Sequence, residues 1–586
     1  MPVAENVEIA LLFEEIADLL ELKGDNPFKI RAYRNAARSL KKLPLSVREM
    51  AEKGDLTAIP GVGKDLAQKI GEFLQSGRIA YLERLREEVP PVLREIMSLP
   101  GVGPKTAARL YEELGVRSLE ELARAAKEHR IKNLKGMGSK TEQNILRGLE
   151  MVRRGTGQRV PIALARLWGE ELLAYLEGLP GVVQAALAGS ARRWKETVGD
   201  LDIVCAVDKE EKTTKVVEAF LLYPAVQEVL ARGENRARVV LKWGLQVDLL
   251  ALPADEFATA LHHFTGSKEH NVRLRGLAHS RGLRISEYGL FREDGKKLPV
   301  RTEEDLYRAL GMPWIPPELR EDRGEIEAAL AGELPRLVEE GDIKGDLHVH
   351  SNWSDGVSSI EELVTAARRR GYSYLAITDH SRSLGVARGL KENQLWAQRD
   401  YVRRLNEELQ AEGADFRVFW GLEVDILAKG GLDYEDEVLA EMDVVIASVH
   451  SGFRQDEETV TGRIIDAMKN PWVDIIAHPT GRLLGRRDPY AVNVDRLLEA
   501  AARYDKILEI NASPDRLDLN DGHARQAKEM GIKIAINTDA HDTARLDDMR
   551  YGVAVARRAW LEPEDIINTM NGDDLWRFLC KRKGKS

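Results

Sequence analysis

A multidomain chain is what three observations predict for these 586 residues: a helical amino-terminal region, then α+β, then α/β. Near the start, Gly-x-Gly turns recur three times at roughly 40-residue spacing, each opening a helical pattern. In the middle, a Gly-Ser loop runs into an Asp-x-Asp strand, and a later hairpin carries a third aspartate. From Lys344 onward, short apolar strands alternate with helices and end in His, Asp and Glu.

A prior of about 150 residues per domain gives about four domains. With 43% hydrophobic and 31% charged residues, each can bury a core. No run of about 20 apolar residues occurs, so a membrane span is excluded. Met1–Asn6 has no basic region leading into an apolar stretch, so no signal peptide is expected. Cys205 and Cys580 are isolated thiols, which fits a reducing cytosol and a cytoplasmic protein. The net charge of −10 argues against nucleic acid only weakly, because residues 1–150 carry 25 Lys+Arg against 23 Asp+Glu and local patches decide phosphate binding.

Taken in order, residues 7–22 place Val7, Leu11, Leu12, Ile16, Leu19 and Leu20 at helical spacing, and Asn26-Pro27 opens a second, basic helix. The repeats follow: Gly61-Val62-Gly63, Gly101-Val102-Gly103 and a looser Gly136-Met137-Gly138, with Lys64, Lys105 and Lys140 just beyond. A tight turn into a helix presents free backbone N–H groups and a positive dipole end, enough to hold a phosphate without reading bases. One copy would equally suit a plain helix–helix turn; three favour helix-hairpin-helix DNA binding.

Asp200 and Asp202 sit at i and i+2 before the strand-like Ile203–Val207, so both carboxylates point to one side. Arg238–Lys242, the Trp243-Gly244 turn and Leu245–Leu250 read as a hairpin that could bring Asp248 beside them. Three converging carboxylates suit Mg²⁺ or Mn²⁺, and two such ions roughly 3.5–4 Å apart serve in-line phosphoryl displacement. Upstream, Gly189-Ser190 offers close backbone approach and a hydroxyl, and Arg192 and Arg193 offer charged donors. An acidic surface turn is the plainer reading, but the combination points to nucleotidyl transfer.

These motifs resemble the nucleotidyltransferase palm of family X DNA polymerases, the group containing DNA polymerase beta. The resemblance implies that Gly189, Ser190, Arg193 and Gly199 serve the incoming triphosphate. It also implies that Asp200 and Asp202 hold both metals and that Asp248 binds the catalytic one and takes the primer's proton. It extends to His263-Phe264-Thr265-Gly266 and to Asn271 and Arg275, implying contacts to the nucleotide (His263, Phe264, Gly266, Asn271) and to DNA (Arg275). Glu287-Tyr288 closes it within the thumb. His263 stands where the family's animal members have Tyr, which leaves sugar selectivity open. The amino-terminal region resembles the lyase domain of DNA polymerase beta, with Lys69 at the Schiff-base position. Asp65 replaces a further family lysine, so phosphate contact or plain solvation competes with lyase chemistry at Lys69.

Pro313–Arg320 and the charged stretch to Asp342 read as a semi-rigid linker. Beyond it, six of the 12 histidines stand at strand ends with carboxylates, in the pattern of a polynuclear metal site at the carboxyl face of a barrel. This resembles the polymerase and histidinol phosphatase (PHP) superfamily, a distorted (β/α)7 barrel. Its nine ligand positions are filled by His348, His350, Asp355, His380, Glu423, His450, His478, Asp539 and His541. Asp379 is expected to orient its neighbours rather than bind metal. Mixed N/O ligation fits Mn²⁺, Zn²⁺ or Fe²⁺ and metal-assisted hydrolysis of a phosphoester.

The expected layout is a lyase-like helix-hairpin-helix domain at 1–95, fingers at 96–155, palm at 156–252, thumb at 253–312, linker at 313–341 and PHP hydrolase at 342–586. The resemblance implies a monomeric repair polymerase that takes gapped or nicked DNA and dNTPs. Its hydrolase would act as a 3′–5′ exonuclease, with AP-site cleavage or 3′-phosphate removal as further options. Two other readings stand beside it: a phosphoesterase for small molecules, and a module that bridges DNA ends.

Overall fold

The computed structural model describes residues 4–584, apart from 44, 98, 100, 101, 135, 136, 139, 140, 144, 147 and 150–158. Gly101, Gly136 and Lys140 of the repeat turns lie outside the described residues, as does the expected boundary at 155.

The amino-terminal helices Ala4–Leu22 and Pro27–Lys42 pair through Ile9, Phe13, Ile16 and Leu20 against Tyr33, Ala37 and Leu40. Asn26 caps the second by accepting from Phe28 N–H, and Pro27 suits its first position. Gly63 and Gly103 stand as N-caps of Lys64–Ser76 and Pro104–Glu113. Gly61 holds φ 81°, open to glycine at little cost, and its turn packs against Asn35 and Ala36. This helical unit buries a core of its own, reaching Ile145 and Leu149.

The central sheet has five strands: Val182–Leu187, Asp200–Val207, Gln246–Pro253, Arg236–Leu241 and Val226–Arg232, in that spatial order. The expected hairpin forms, with Arg236–Leu241 antiparallel to Gln246–Pro253. Asp200–Val207 lies parallel to Gln246–Pro253 and is covered on both faces, which explains its continuous apolar run. Helices Ile162–Glu177 and Thr213–Leu221 bury Trp168, Leu172 and Phe220 with Ile203 and Cys205 on one side. Helix Phe257–Thr265 covers Val204 and Leu250 on the other.

Residues 313–341 correct the linker expectation. Ile315, Leu319, Ile326, Ala329 and Leu337 belong to one core with Leu274, Leu306 and Tyr307, and Glu325–Ala331 is helical. The charges that suggested solvation are paired internally: fully buried Arg320 meets Glu303 at 2.6 Å, and Glu325 meets His270 at 2.6 Å. Proline stiffness serves packing here, not spacing.

Seven parallel strands follow in sequential order, Gly345–Val349, Tyr374–Ile377, Arg417–Asp425, Val444–Ser448, Ile475–Ile476, Ile507–Asn511 and Ile534–Asn537. A bridge from Val349 to Ala540, just past the last strand, brings the last edge to the first, so the sheet is nearly closed into a barrel. Leu575 and Leu579 of the carboxy-terminal helix pack on Leu347, Tyr374, Phe419 and Ile507. Among the described residues no helix is long and apolar enough to cross a membrane.

Candidate active sites

In the central sheet, Asp202 and Asp248 are direct neighbours across the parallel strands. One carboxylate oxygen from each of Asp200, Asp202 and Asp248 lies within 4.8 Å of the others. Crowding of like charge in a half-buried place has the expected result. Burial, then Asp200 and Asp248, push the Asp202 carboxyl up to about 7, and burial and Asp248 raise Asp200. A cation would relieve this repulsion, so the donor set fits divalent metal. Asp248 is held by Arg238 (Nε–Oδ1 2.6 Å, Nη2–Oδ2 3.1 Å) and by Gln246 (3.3 Å).

Gly189 opens the short helix Gly189–Arg192 at φ 55°, and a Cβ there would lie 2.0 Å from Asp202 Oδ2. Ser190 follows, half-buried. Arg193 is buried, with Nε on Glu321 (3.0 Å) and Nη1 on the carbonyl of Thr265 (2.7 Å). Gly199 lies at the bend before Asp200, 3.4 Å from Arg159 at its Cβ position.

Helix Phe257–Thr265 carries His263 and Phe264 and breaks at Gly266; Ser267 then caps Lys268–Ser280 by accepting from His270 N–H. Asn271 locks that break, donating Nδ2 to the carbonyls of His263 (2.7 Å) and Gly266 (3.2 Å). Burial pushes His263 below its usual range. Arg275 is exposed one turn beyond Asn271. In the amino-terminal unit, Lys69 pairs with Asp65 at 2.6 Å, so the residue that departs from the family lysine is the partner of Lys69. Lys105 is exposed and approaches Glu21 at 3.6 Å, while a Cβ at Gly103 or Gly138 would meet nothing within 4 Å among the described residues.

The barrel brings the nine expected ligands together, with five of its histidines around Glu423. That carboxylate lies 2.8 Å from His380, 3.2 Å from His478, 3.4 Å from His450 and 3.5 Å from both His348 and His350. Asp539 faces His350 at 3.2 Å, and Asp355 lies 3.4 Å from His541 and 3.5 Å from His380. Three overlapping sets could each hold an ion: His350/Asp355/His380/His541, His348/His350/Asp539 and His380/Glu423/His450. His348 Nε2, both ring nitrogens of His350, His380 Nδ1, His478 Nδ1 and Glu423 Oε2 are buried without a hydrogen bond among the described residues. Such orphaned donors converging on one point fit metal ions, whereas a packed histidine core would pair them. His478 and Asp539 hold left-handed backbone, φ 29° and 54°, strain of the kind that functional sites concentrate.

Charge balance in this buried centre is internal. Burial alone would favour neutral imidazoles, yet Glu509, Glu423 and Asp539 hold His348 well above its usual range, and Glu423 carries His380 to about 9. Burial, His380 and His541 push His350 down to about 3. Asp379 accepts from Ser351, Ser354 and Gln398 and stands outside the three sets.

Several neighbours were not legible in the sequence. Glu509 meets His348 Nδ1 at 2.7 Å and Asp425 meets His450 Nδ1 at 2.6 Å, each fixing a ring. A carboxylate inside the apolar strand Ile507–Asn511, and one two residues past Glu423, were the available signals. Arg238, Arg159 and Glu321 carried none.

Comparison with known proteins agrees with this architecture. The helix-hairpin-helix domain family matches residues 4–79, the SAM-like helix-hairpin-helix tandem 93–151, the DNA polymerase beta thumb 260–321 and the PHP domain 346–513. The chain is 28% identical over 342 residues to "DNA polymerase lambda" of Rattus norvegicus, covering 54% of this chain and 56% of that protein. It is 31% identical over 251 residues to a "Probable phosphatase" of Thermoanaerobacter sp. (strain X514), covering 41% of this chain and 96% of that one. With "DNA polymerase/3'-5' exonuclease PolX" of Bacillus subtilis (strain 168) it shares 42% identity over 575 residues, 98% of this chain and 99% of the relative. On that full-length match, the chain belongs to the bacterial family X DNA polymerases that carry a carboxy-terminal PHP domain.

Proposed function

We propose that this protein is a template-directed DNA polymerase that fills short gaps during repair, with a PHP barrel that trims 3′ ends as a 3′–5′ exonuclease. It takes gapped or nicked DNA and dNTPs and acts as a cytoplasmic monomer. The observation that carries the reading is the coexistence of the Asp200/Asp202/Asp248 cluster and the nine-residue centre around Glu423 in one chain.

At the polymerase site, Mg²⁺ or Mn²⁺ would be held by Asp200 and Asp202, with Asp248 on one ion only, and would supply charge stabilisation for in-line displacement. Asp248 accepts the proton of the primer 3′-hydroxyl on a carboxylate oxygen, and Arg238 keeps that carboxylate aimed. Ser190, Arg193 and the backbone at Gly189 and Gly199 orient the triphosphate. His263, Phe264, Gly266 and Asn271 seat the sugar and base. Arg275 and the turns at Gly61, Gly63, Gly101, Gly103, Gly136 and Gly138, with Lys105, grip phosphates without reading sequence. At the barrel, the nine residues would hold Mn²⁺, Zn²⁺ or Fe²⁺, which would supply hydrolytic chemistry. Glu509 and Asp425 fix the rings of His348 and His450. The domain limits are taken as 1–95, 96–155, 156–252 and 253–312, the thumb core continuing through 313–341 into the barrel. At Lys69 the ion pair with Asp65 favours a structural or phosphate-contacting role over lyase chemistry.

The test uses a one-nucleotide gapped duplex with Mn²⁺ and labelled primer, with and without dNTPs, beside Asp202→Ala and His450→Ala. Extension lost in the first alone and 3′ shortening lost in the second alone is the expected result. Neither reaction from the wild type, despite DNA binding, would move the assignment to an end-bridging module. The match to 96% of the phosphatase relative supports small-molecule phosphoester hydrolysis as a second reading. Turnover of p-nitrophenyl phosphate unaffected by added DNA would favour it.

A further inference from the structure

The turn Arg193–Glu196 directly follows the phosphate-side helix Gly189–Arg192, and all four of its residues are held by the barrel or by the segment that leads to it. Arg558, 5% exposed at the end of the barrel helix Met549–Arg558, donates Nη1 to the backbone carbonyl of Arg193 at 2.7 Å. The same nitrogen meets Glu321 Oε1 at 3.0 Å. Glu321 receives Arg193 Nε on that oxygen, also at 3.0 Å, and lies 3.7 Å from Lys195. Trp194 meets Tyr551 edge-on at 6.0 Å, and Glu196 pairs with Arg482 at 2.7 Å. Arg558 is fixed in turn by Asp521 at 2.9 Å.

These contacts set how Arg193 presents itself. Nε is committed to Glu321 and Nη1 to the carbonyl of Thr265, leaving Nη2 as the edge with no partner among the described residues. Arg193 N–H donates to the Gly189 carbonyl at 3.2 Å, and Gly189 stands against Asp202, so the turn that carries Arg193 lies beside the carboxylate cluster. We propose that Arg558, acting through Glu321, is a positioning residue for nucleotide binding, so that the hydrolase barrel forms the back wall of the polymerase's triphosphate pocket. This rests on the reading of Arg193 as a triphosphate contact. The physical reason is the shape of the guanidinium: one planar fork reaches Glu321, Asp521 and the Arg193 carbonyl together, which a single ammonium does not. Without Arg558, Glu321 is balanced by Arg193 and Lys195 alone, the turn loses its carbonyl contact, and the free edge of Arg193 is drawn away from the pocket.

The experiment measures dNTP binding to a full-length enzyme–gapped-DNA complex, with kcat and KM for incorporation and 3′ shortening of single-stranded DNA, in Arg558→Ala, Arg558→Lys, Glu321→Gln and Arg193→Ala. A rise of roughly tenfold in the Kd and KM for dNTP is expected for Arg558→Ala, less for Glu321→Gln, with 3′ shortening retained and no rescue by Arg558→Lys. If Arg193→Ala weakens dNTP binding while Arg558→Ala and Glu321→Gln do not, the proposal is overturned and the triphosphate reading survives. Unchanged dNTP binding in Arg193→Ala overturns both. An equal fall of both activities at constant KM means lost folding and also overturns it.

Discussion

The α-carbon of Gly189 approaches Asp202 so closely that a β-carbon would lie 2.0 Å from its carboxylate oxygen, and the glycine holds φ 55°. Gly189→Ala therefore meets a steric clash and a backbone penalty of about 1–3 kcal/mol at the carboxylate cluster itself. Primer extension is expected to fall at least about a hundredfold, as misplacement of this kind does, while 3′ shortening stays within twofold or so. Both are read on one gapped substrate.

The raised Asp202 has a sign that can be tested without metal. Its folded-state pKa, about 7, lies above the unfolded carboxylate value, so its protonated form favours the folded state at low pH and that contribution is lost as pH rises through about 7. In EDTA, Asp202→Asn should gain stability over wild type between pH 5.5 and pH 8, by about 2–4 kcal/mol at most. Denaturant melts of both proteins across that range check it; a constant difference would refute the shift. Mg²⁺ should erase the pH trend in the wild type.

Glu423 is the common neighbour of five histidines in a buried centre. Glu423→Ala removes the carboxylate that all five share, so metal content should collapse and 3′ shortening should vanish, with template-directed extension retained. Elemental analysis of the purified variant is the deciding measurement.

Glu509 and Asp425 touch imidazoles from behind, so they should tune affinity rather than abolish it. Glu509→Gln and Asp425→Asn are each expected to weaken metal binding about 10- to 100-fold. Competition against a chromophoric chelator reads this directly, and excess metal should restore much of the hydrolysis.

Much of the site was readable before any fold was drawn, because its residues are tied to local patterns. Asp200 and Asp202 share a side of one strand by the two-residue period, and the Trp243-Gly244 turn dictates the hairpin that carries Asp248. Most of the expected barrel ligands stand within or just past short apolar runs that read as strands. By contrast, residues 313–341 misled: proline and charge read as a linker, yet Arg320 and Glu325 find buried partners at Glu303 and His270, far away in sequence.

The sequence by itself placed the chemistry-bearing residues: alternation and a turn set three aspartates together, apolar runs set His, Asp and Glu in or near strands, and the resemblance to the PHP superfamily named nine of these as ligands. Only the tertiary structure decided how those groups are held. Arg238 on Asp248, Glu509 on His348, and Arg558 with Glu321 behind Arg193 are contacts across strands and domains. No local period encodes them, because a long charged side chain finds its partner only after the backbone has folded.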